Sequence, residues 1–285
     1  MEKYKECLKV FLTKNIKMKI QANFLILFLL FNYNLNAQNN NYPASSEQII
    51  IPIGNDSITA WGMLAKGKAK KETVILLHGL PGNERNLDIA QELRRHGKNV
   101  IYFNYRGAWG SQGEFMYSNC IEDVEKVLDF LSTEENSNKY RIKLDSFILL
   151  GHSMGGGIAL ISGAKDDRVK KIVAYSPWNA GETKFTDAQI KGFTLMLKSL
   201  FMLNVEPKRF LNDIVENRKQ YSIINYKNQL QHKQILIFDE NERNKQWIEN
   251  LGNVEYILMK TDHSFSDKRL ELIQKVSNWI KNKHS

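Results

Sequence analysis

The segment around residues 147–164 constrains the fold of this chain most strongly. The apolar run Phe147–Leu150 predicts a buried strand, and Ser153–Ala164 has the composition of a helix. Between them, residues 151–155 read G-H-S-M-G and fit the pattern G-x-S-x-G. The glycines permit a sharp turn from strand to helix, which lifts the hydroxyl of the central serine above the edge of a sheet. We therefore predict a strand–turn–helix unit that presents Ser153 as a candidate nucleophile.

Strand-like and helix-like patterns alternate along most of the chain. The other predicted strands are Gln48–Ile53, Ser57–Ala65, Thr73–Leu77, Val100–Asn104, Lys171–Tyr175, Gln234–Phe238 and Val254–Met259, and the other predicted helices are Asn83–His96, Cys120–Leu131 and Ser266–Ile280. This alternation predicts an α/β fold, with helices flanking a mainly parallel central sheet. Residues 177–232 interrupt the alternation with helix-like sequence, which we expect to form an inserted helical cap.

Residues 1–37 have the pattern of a secretory signal peptide. Three lysines between residues 14 and 19 precede the apolar run Ile20–Phe31, which is too short to span a bilayer comfortably. We expect cleavage after Ala37, export to the periplasm or the medium, and no stable membrane insertion after cleavage. Met18 is an alternative start of the chain, and an uncleaved N-terminal anchor is the alternative interpretation of the segment.

Charge and cysteine content limit the possible partners. The 285 residues carry a formal net charge of +9, of which the six Lys and two Glu of residues 1–37 contribute +4. The remaining charge is spread along the chain without a basic helix, so nucleic acid is not an expected partner. Two cysteines, Cys7 and Cys120, are too few for a disulfide framework or a thiolate zinc site. We place a linker at residues 38–47 and the folded domain at 48–285.

A second glycine-containing loop follows a predicted buried strand. Residues 78–82 read H-G-L-P-G directly after Thr73–Leu77. A loop in this position can direct the backbone N–H of Leu80 at a developing oxyanion, with the N–H of Met154 as the second donor. We therefore predict an oxyanion hole formed by these two amides, and a plain turn at the end of a strand is the alternative.

A serine hydroxyl is a poor nucleophile without a general base. The chain order serine, acid, histidine excludes the histidines that precede or adjoin Ser153. His284 is the penultimate residue and is expected to fray. His263 lies between the last predicted strand and the closing helix, where the base is expected. It is the favoured base, and His232 is the alternative.

The acid that orients the base should follow the strand Gln234–Phe238. Residues 239–242 offer three carboxylates directly after this strand. Glu242 is favoured by its position a few residues beyond the strand, and Asp239, at the strand tip, is the alternative. Asp262 adjoins His263 in sequence, and neighbouring side chains there would point apart.

With these residues the chain resembles the α/β-hydrolase superfamily over roughly residues 48–283. The matching segments are H-G-L-P-G at 78–82, Y-R-G-A-W-G-S-Q-G at 105–113, G-H-S-M-G at 151–155 and D-H-S-F at 262–265. The second segment is similar to the loop after the fourth strand in serine esterases, monoacylglycerol-lipase-like enzymes and prolyl-oligopeptidase-like catalytic domains. The resemblance implies a triad of Ser153, His263 and Glu242. The chain departs from the superfamily by lacking the Gly of the His-Gly-x-x-Asp pattern that often follows the seventh strand.

The resemblance implies a serine hydrolase of the carboxylesterase or lipase type that cleaves a small-molecule ester or thioester through an acyl-enzyme. It implies no metal and no organic cofactor. Candidates to line the acyl pocket are Trp109 and Trp178, with Met116, Phe193 and Met196. One alternative is an aminopeptidase or amidase on the same triad, with an acidic anchor among Glu182, Glu206 and Glu216. The other is a non-catalytic binding protein of the same fold.

Overall fold

The apolar runs of the sequence form the strands of one eight-stranded sheet. In this computed structural model, which describes Met1 and residues 42–281, the strands are β1 (Ser45–Ile53), β2 (Asp56–Leu64), β3 (Lys71–Leu77), β4 (Asn99–Phe103), β5 (Ile142–His152), β6 (Val169–Tyr175), β7 (Gln234–Asp239) and β8 (Glu255–Leu258). Their spatial order is β1-β2-β4-β3-β5-β6-β7-β8. The β1–β2 and β2–β4 pairings are antiparallel and every other pairing is parallel, which confirms the predicted mainly parallel sheet.

Helices cover both faces of this sheet. They are α1 (Leu87–Arg95), α2 (Tyr117–Ser132), α3 (Glu134–Lys139), α4 (Met154–Lys165), α5 (Asp187–Ser199), α6 (Pro207–Glu216), α7 (Arg218–Tyr221), α8 (Lys227–Leu230), α9 (Lys245–Leu251) and α10 (Arg269–Lys281). Successive side chains of a strand point to opposite faces. In β3, Ile75 and Leu77 accordingly join the apolar cluster that includes α2 and α4, whereas Val74 and Leu76 join the cluster that includes α1 and α10.

Both apolar clusters lie within the folded domain. Their described buried members extend from Ile49 to Ile280. A chain that begins at Gln38 includes all of these residues and all eight described strands. The predicted signal peptide lies outside the described residues except for Met1. In the described part of the chain, no helix combines the length and the apolar character that crossing a membrane requires.

The segment between β6 and β7 is helical, as predicted for residues 177–232. It contains α5 to α8 and two short 3₁₀ turns, Ala180–Glu182 and Ile223–Tyr226. Helix α5 begins with a capping box, in which the side chain of Thr186 accepts from the amide of Gln189 and the Gln189 side chain accepts from the amide of Thr186. We refer to this segment as the cap.

Among the boundaries that differ from the prediction, two have a physical reason in the contacts of the structure. Helix α1 begins at Leu87 because Asn86 adopts a left-handed conformation with a φ of 58°. The Oδ1 atom of Asn86 accepts from the hydroxyl of Tyr175 and from Arg269, so tertiary contacts hold this residue outside the helix. Strand β5 is longer than the predicted Phe147–Leu150, because its pairing with β3 starts at Ile142 and its pairing with β6 runs to His152.

Candidate active site

Ser153 occupies a strained turn between β5 and α4. Its backbone has φ 54° and ψ −118°, a conformation that residues other than glycine rarely adopt. Hydrogen bonds fix this turn, because the Ser153 amide donates to the carbonyl of Tyr175 (3.0 Å) and its carbonyl accepts from the amide of Trp178 (2.9 Å). The predicted strand–turn–helix unit is therefore present, with the serine at its apex.

The glycines around Ser153 allow α4 to pack directly on the sheet. A Cβ atom at Gly151 would collide with the carbonyl of Gly155, and one at Gly155 would collide with the carbonyl of Leu77. A Cβ atom at Gly157 would collide with the carbonyl of Trp178. Each clash involves backbone, which cannot give way as a flexible side chain could. Close packing of backbone against backbone therefore explains why glycine occupies these three positions.

His263 and Ser153 face the same cavity. His263 lies in the loop between β8 and α10, and its backbone carbonyl accepts from Nε2 of His152 at 2.9 Å. The cavity has a volume of about 390 Å³ and is lined by Ser153, Ser176, Pro177, Trp178, Asn179, Glu182, Thr183, Arg243, Asn244, Trp247 and His263. The alternative base, His232, is not among the lining residues and is exposed near the end of the cap.

The carboxylate that approaches His263 is that of Glu240, and not that of either residue favoured from the sequence. Glu240 Oε1 lies 3.2 Å from Nδ1 of His263. Glu242 is exposed and pairs with Lys245 at 3.1 Å. Asp239 is buried at the end of β7, where it accepts from Asn244 at 3.0 Å, and burial raises its pKa to about 7. The structure therefore brings neither Glu242 nor Asp239 to His263.

The position of β7 explains why Glu240, and not Glu242, approaches His263. β7 continues one residue beyond the predicted strand, and Glu240 is the first residue after it. The chain then enters a 3₁₀ turn at Glu242–Asn244, which leaves Glu242 in solvent. The superfamily pattern could not reveal this register, because the Gly that would fix its alignment is missing here. The sequence feature that points to Glu240 is its position directly after the strand. The alignment to the superfamily pattern favoured Glu242 instead.

Glu240 is held in its charged form. Burial by itself raises the pKa of Glu240, but hydrogen bonds from Ser176, from the backbone and from His263, together with the Arg243 charge, hold that pKa below its ordinary value. Its second oxygen, Oε2, accepts from the hydroxyl of Ser176. A fixed anion in this place can orient the imidazole of His263 and stabilise its protonated form.

Arg243 contacts both Glu240 and His263. Its guanidinium lies 2.5 Å from Oε1 of Glu240 and 3.3 Å from Nδ1 of His263. Since a guanidinium only donates hydrogen bonds, its bond to Glu240 is compatible with an N–H at Nδ1 that also points at the carboxylate. Arg243 thus belongs to the same cluster of side chains, and a lone arginine in a loop carries no sequence signal that would predict this position.

His78 and His152 are neutral supports of the site. Burial lowers the pKa of each to about 4. Nε2 of His152 must carry its proton, because its partner, the His263 carbonyl, can only accept. Nδ1 of His78 likewise donates to the carbonyl of Gly79 at 2.8 Å. The two rings thus hold the backbone carbonyls of Gly79 and His263 in place.

The loop at 78–82 lies beside the nucleophile. A Cβ atom at Gly79 would stand 3.1 Å from Cβ of Ser153 and 3.2 Å from the carbonyl of His152. Within residues 42–281, the amide N–H groups of Leu80 and Met154 donate to no protein acceptor. Both amides that we predict to form the oxyanion hole are therefore available to donate to a substrate oxygen.

Of the predicted pocket residues, the structure brings only Trp178 to the cavity that Ser153 lines. Trp109 lies elsewhere, because its Nε1 donates to the carbonyl of Pro81 (2.8 Å) and Arg85 covers its ring at 4.8 Å. Met116 lines a separate hollow beside α6, and Phe193 and Met196 line another on the cap. The sequence could not separate them, since an aromatic or methionine side chain suits core and pocket equally.

Among the three acidic residues considered as anchors for a substrate amine, Glu182 alone lines the cavity. Its Oε1 accepts from the hydroxyl of Ser222 at 2.6 Å. Glu206 caps α6, where it accepts from the amides of Lys208 and Arg209, and Glu216 lines the hollow beside Met116. Among the described residues, no group of three or more His, Cys, Asp or Glu is arranged to hold a metal ion.

Comparisons with solved structures agree with this architecture. An esterase of Pyrococcus furiosus superposes with a TM-score of 0.60 at 18% identity, covering 84% of this chain and 91% of that one. Est1E from Butyrivibrio proteoclasticus gives 0.60 at 13% identity, covering 82% and 97%. A bromoperoxidase from Bacillus anthracis gives 0.58 at 17% identity, covering 83% and 100%. At these identities the likeness establishes the α/β-hydrolase fold.

A curated relative matches a shorter region. It is an Escherichia coli protein named as an uncharacterized 31.7 kDa protein in the traX-finO intergenic region, 30% identical over 126 residues. The match spans 42% of this chain and 42% of that relative's length. The family model described as serine aminopeptidase, S33 (Hydrolase_4) matches residues 68–250, well over half of the chain. This protein therefore belongs to the S33 serine aminopeptidase family of α/β hydrolases.

Proposed function

We propose that the protein is a serine hydrolase that cleaves carboxylic esters or thioesters with a triad of Ser153, His263 and Glu240. The observation that carries the proposal is the arrangement of these three groups. Ser153 stands at a strained apex, faces one cavity with His263, and His263 Nδ1 lies 3.2 Å from a buried carboxylate. Nucleophile, base and orienting acid are the parts that serine catalysis requires.

Acylation begins when Oγ of Ser153 attacks the acyl carbon. Nε2 of His263 takes the hydroxyl proton and returns it to the leaving alcohol or thiol, so that the acyl group remains on the serine. Water then attacks the acyl-enzyme and His263 takes a proton from it. As the Oγ–acyl bond breaks, His263 returns this proton to Oγ of Ser153, and the acid product leaves. The amides of Leu80 and Met154 donate to the oxyanion of both tetrahedral intermediates, and each such donor contributes about 3 kcal/mol.

The test is hydrolysis of p-nitrophenyl esters of increasing acyl length by residues 38–285. The chain from Gln38 is suitable because it contains both apolar clusters and all eight strands. We expect turnover that disappears in Ser153→Ala, and the preferred acyl length measures the pocket. Turnover that persists in this variant would contradict the triad.

Aminopeptidase activity is a second candidate, favoured by the position of Glu182. This carboxylate lines the cavity that contains Ser153, where it could pair with the free amine of a peptide. The family description is consistent with such a reaction. Aminoacyl p-nitroanilides separate the two candidates: an aminopeptidase cleaves them and loses this activity in Glu182→Gln, whereas an esterase cleaves neutral acyl esters in both forms.

A non-catalytic binding protein would lack an acid within reach of His263. Glu240 lies within reach, which disfavours this alternative. A fluorophosphonate probe tests it directly, because only an activated serine reacts. Covalent labelling of the wild type and none of Ser153→Ala supports a working triad even where the natural substrate is unidentified.

A further inference from the structure

The loop after β4 contains a residue in an unusual backbone conformation. Residues 105–113, which read Y-R-G-A-W-G-S-Q-G, form this loop, and the residues that line the cavity of Ser153 come from other segments. Trp109, in the middle of the loop, has a φ of 49°, a left-handed conformation that bulky residues rarely adopt. A residue keeps this conformation only where its surroundings impose it, and such residues cluster at functional sites. The conformation of Trp109 therefore needs an explanation in its contacts.

The backbone of Trp109 is attached to the cap. The loop forms an antiparallel bridge with the chain that follows α5. In this bridge the Trp109 amide donates to the carbonyl of Met202 at 2.9 Å, and the Asn204 amide donates to the carbonyl of Gly107 at 2.7 Å. These hydrogen bonds fix the peptide groups around Trp109. The cap thus sets the direction in which the Trp109 side chain leaves the loop.

The side chain of Trp109 reaches the loop at 78–82. Its Nε1 atom donates to the carbonyl of Pro81 at 2.8 Å. A Cβ atom at Gly82 would stand 2.8 Å from the same nitrogen, so the indole lies directly against this loop. The guanidinium of Arg85 covers the ring at 4.8 Å from its centroid and helps to hold the indole in place. The indole therefore fixes the position of the Pro81 carbonyl.

Leu80 precedes Pro81 and lies between two anchored peptide groups. Nδ1 of His78 donates to the Gly79 carbonyl at 2.8 Å, and this carbonyl shares one planar peptide group with the Leu80 N–H. The indole of Trp109 holds the carbonyl of the peptide group that follows Pro81. Since the proline ring fixes its own φ, only φ and ψ of Leu80 and ψ of Pro81 vary between the two groups. His78 and Trp109 together thus set the direction of the Leu80 N–H.

We propose that Trp109 is a positioning residue of the oxyanion hole, and that its indole attaches the loop at 78–82 to the cap. This inference rests on the proposed function, because it takes the Leu80 N–H as a donor to the oxyanion. Such donors stabilise the transition state when they are already aimed at the place where the charge develops. Trp109 acts through the Pro81 carbonyl and the peptide group of Leu80, and not through contact with the substrate.

Trp109→Phe tests the proposal in the kinetics of p-nitrophenyl ester hydrolysis by residues 38–285. The variant keeps an aromatic ring beneath Arg85 and loses the N–H that donates to Pro81. We expect kcat to fall by about 10- to 100-fold, because a displaced donor binds the oxyanion less well. KM should change by less than about threefold, since the oxyanion exists only after the serine has attacked.

Trp279→Phe is the matched control. Nε1 of Trp279 donates to Glu255 at 2.9 Å, and Lys171 lies over its ring at 5.4 Å, so this variant also loses one indole hydrogen bond beside a cation. Trp279 packs in the apolar cluster on the opposite face of the sheet from the cluster that Trp109 contacts. Both variants should lose a similar unfolding free energy in urea, but only Trp109→Phe should lose kcat. An equal kcat for the two variants would overturn the proposal.

A transition-state analogue separates positioning from a loss of folded enzyme. A trifluoromethyl ketone adds to Ser153 and places a tetrahedral oxyanion in the hole. Its inhibition constant for Trp109→Phe should rise by the factor by which kcat/KM falls, because both quantities measure binding of the oxyanion. A partly unfolded variant would instead lose kcat through a smaller number of active sites, counted with a fluorophosphonate, and would keep the inhibition constant. That result would also overturn the proposal.

Nuclear magnetic resonance provides a readout that requires no turnover. In ¹⁵N-labelled residues 38–285, the amide resonances of Leu80 and Gly82 should broaden in Trp109→Phe, because the loop then exchanges between positions, and should stay sharp in Trp279→Phe. Sharp resonances in both variants would contradict the proposal. A wild type without turnover and without fluorophosphonate labelling would defeat the proposed function instead, and broadening in Trp109→Phe would then still support the attachment of the loop by the indole.

Discussion

At the scale of single residues, the site depends on which carboxylate faces His263. Ser153 and His263 could be predicted because a local motif and a chain order point to them. The acid could not, because three carboxylates occur within four positions and the choice depends on where β7 ends. Glu240 reaches His263 Nδ1 at 3.2 Å, whereas Glu242 pairs with Lys245 in solvent. A contact of this kind depends on strand register, which the composition of the loop does not encode.

Substitution of the acid by its amide should separate the candidates. Glu240→Gln removes the charge that orients His263 and stabilises its imidazolium, so we expect kcat/KM for a p-nitrophenyl ester to fall by about 10²- to 10⁴-fold. Glu242→Gln is the matched control and should change kcat/KM by less than about twofold, because its carboxylate contacts only Lys245. A large loss in the control with none in Glu240→Gln would restore the assignment made from sequence.

The buried histidines should make stability depend on pH. The pKa of His78 falls from 6.5 to about 4 on burial, so the folded state stays neutral while the unfolded state takes up a proton. The contribution of His78 to the unfolding free energy is complete above the pKa of the unfolded state. It is lost as pH falls from about 6.5 towards 4, and the loss reaches about 2 kcal/mol by pH 5. In His78→Asn, urea unfolding should show a smaller loss of free energy between pH 7 and pH 5. The exposed His232→Asn is the control, and an unchanged difference in His78→Asn would argue against neutral burial.

At the scale of elements, the apolar runs located every strand of the sheet. All eight predicted strands are present, and β5 differs most, because it begins five residues before the predicted start at Phe147. Long-range contacts set the remaining boundaries. Asn86 leaves the helical pattern because Tyr175 and Arg269 bind its side chain, and these partners are distant in sequence. Trp109 likewise turns from the cavity to bind the Pro81 carbonyl.

Two glycines in different helices should respond oppositely to alanine. Gly155→Ala places a Cβ atom against the Leu77 carbonyl, so α4 must shift from the sheet, and we expect a loss of several kcal/mol of unfolding free energy together with activity. Gly192→Ala meets open space in α5 and should raise the unfolding free energy by about 0.5–1 kcal/mol through helix propensity. Thermal and urea unfolding measure both, and a tolerated Gly155→Ala would contradict the close packing of α4 on β3.

At the scale of the whole molecule, the described residues form two apolar clusters around one sheet. The stability of the domain derives from two apolar layers on either side of one sheet, since no disulfide joins the described residues. Cys120 is fully buried, and burial raises the pKa of its thiol well above the ordinary range. An unreactive thiol suits a protein that functions in an oxidising compartment. Fold and chemistry are thus compatible with the export that we propose from the sequence.

The predicted export of the protein can be tested independently of the structure of the folded domain. The full chain, expressed in a bacterium with a secretory pathway, should yield a protein that begins at Gln38 and fractionates with the periplasm or the medium. Leu27→Arg places a charge within the apolar run and should leave unprocessed chain in the cytoplasm. N-terminal sequencing and cell fractionation measure both outcomes. A product that keeps residues 1–37 and sediments with membranes would instead identify an uncleaved anchor.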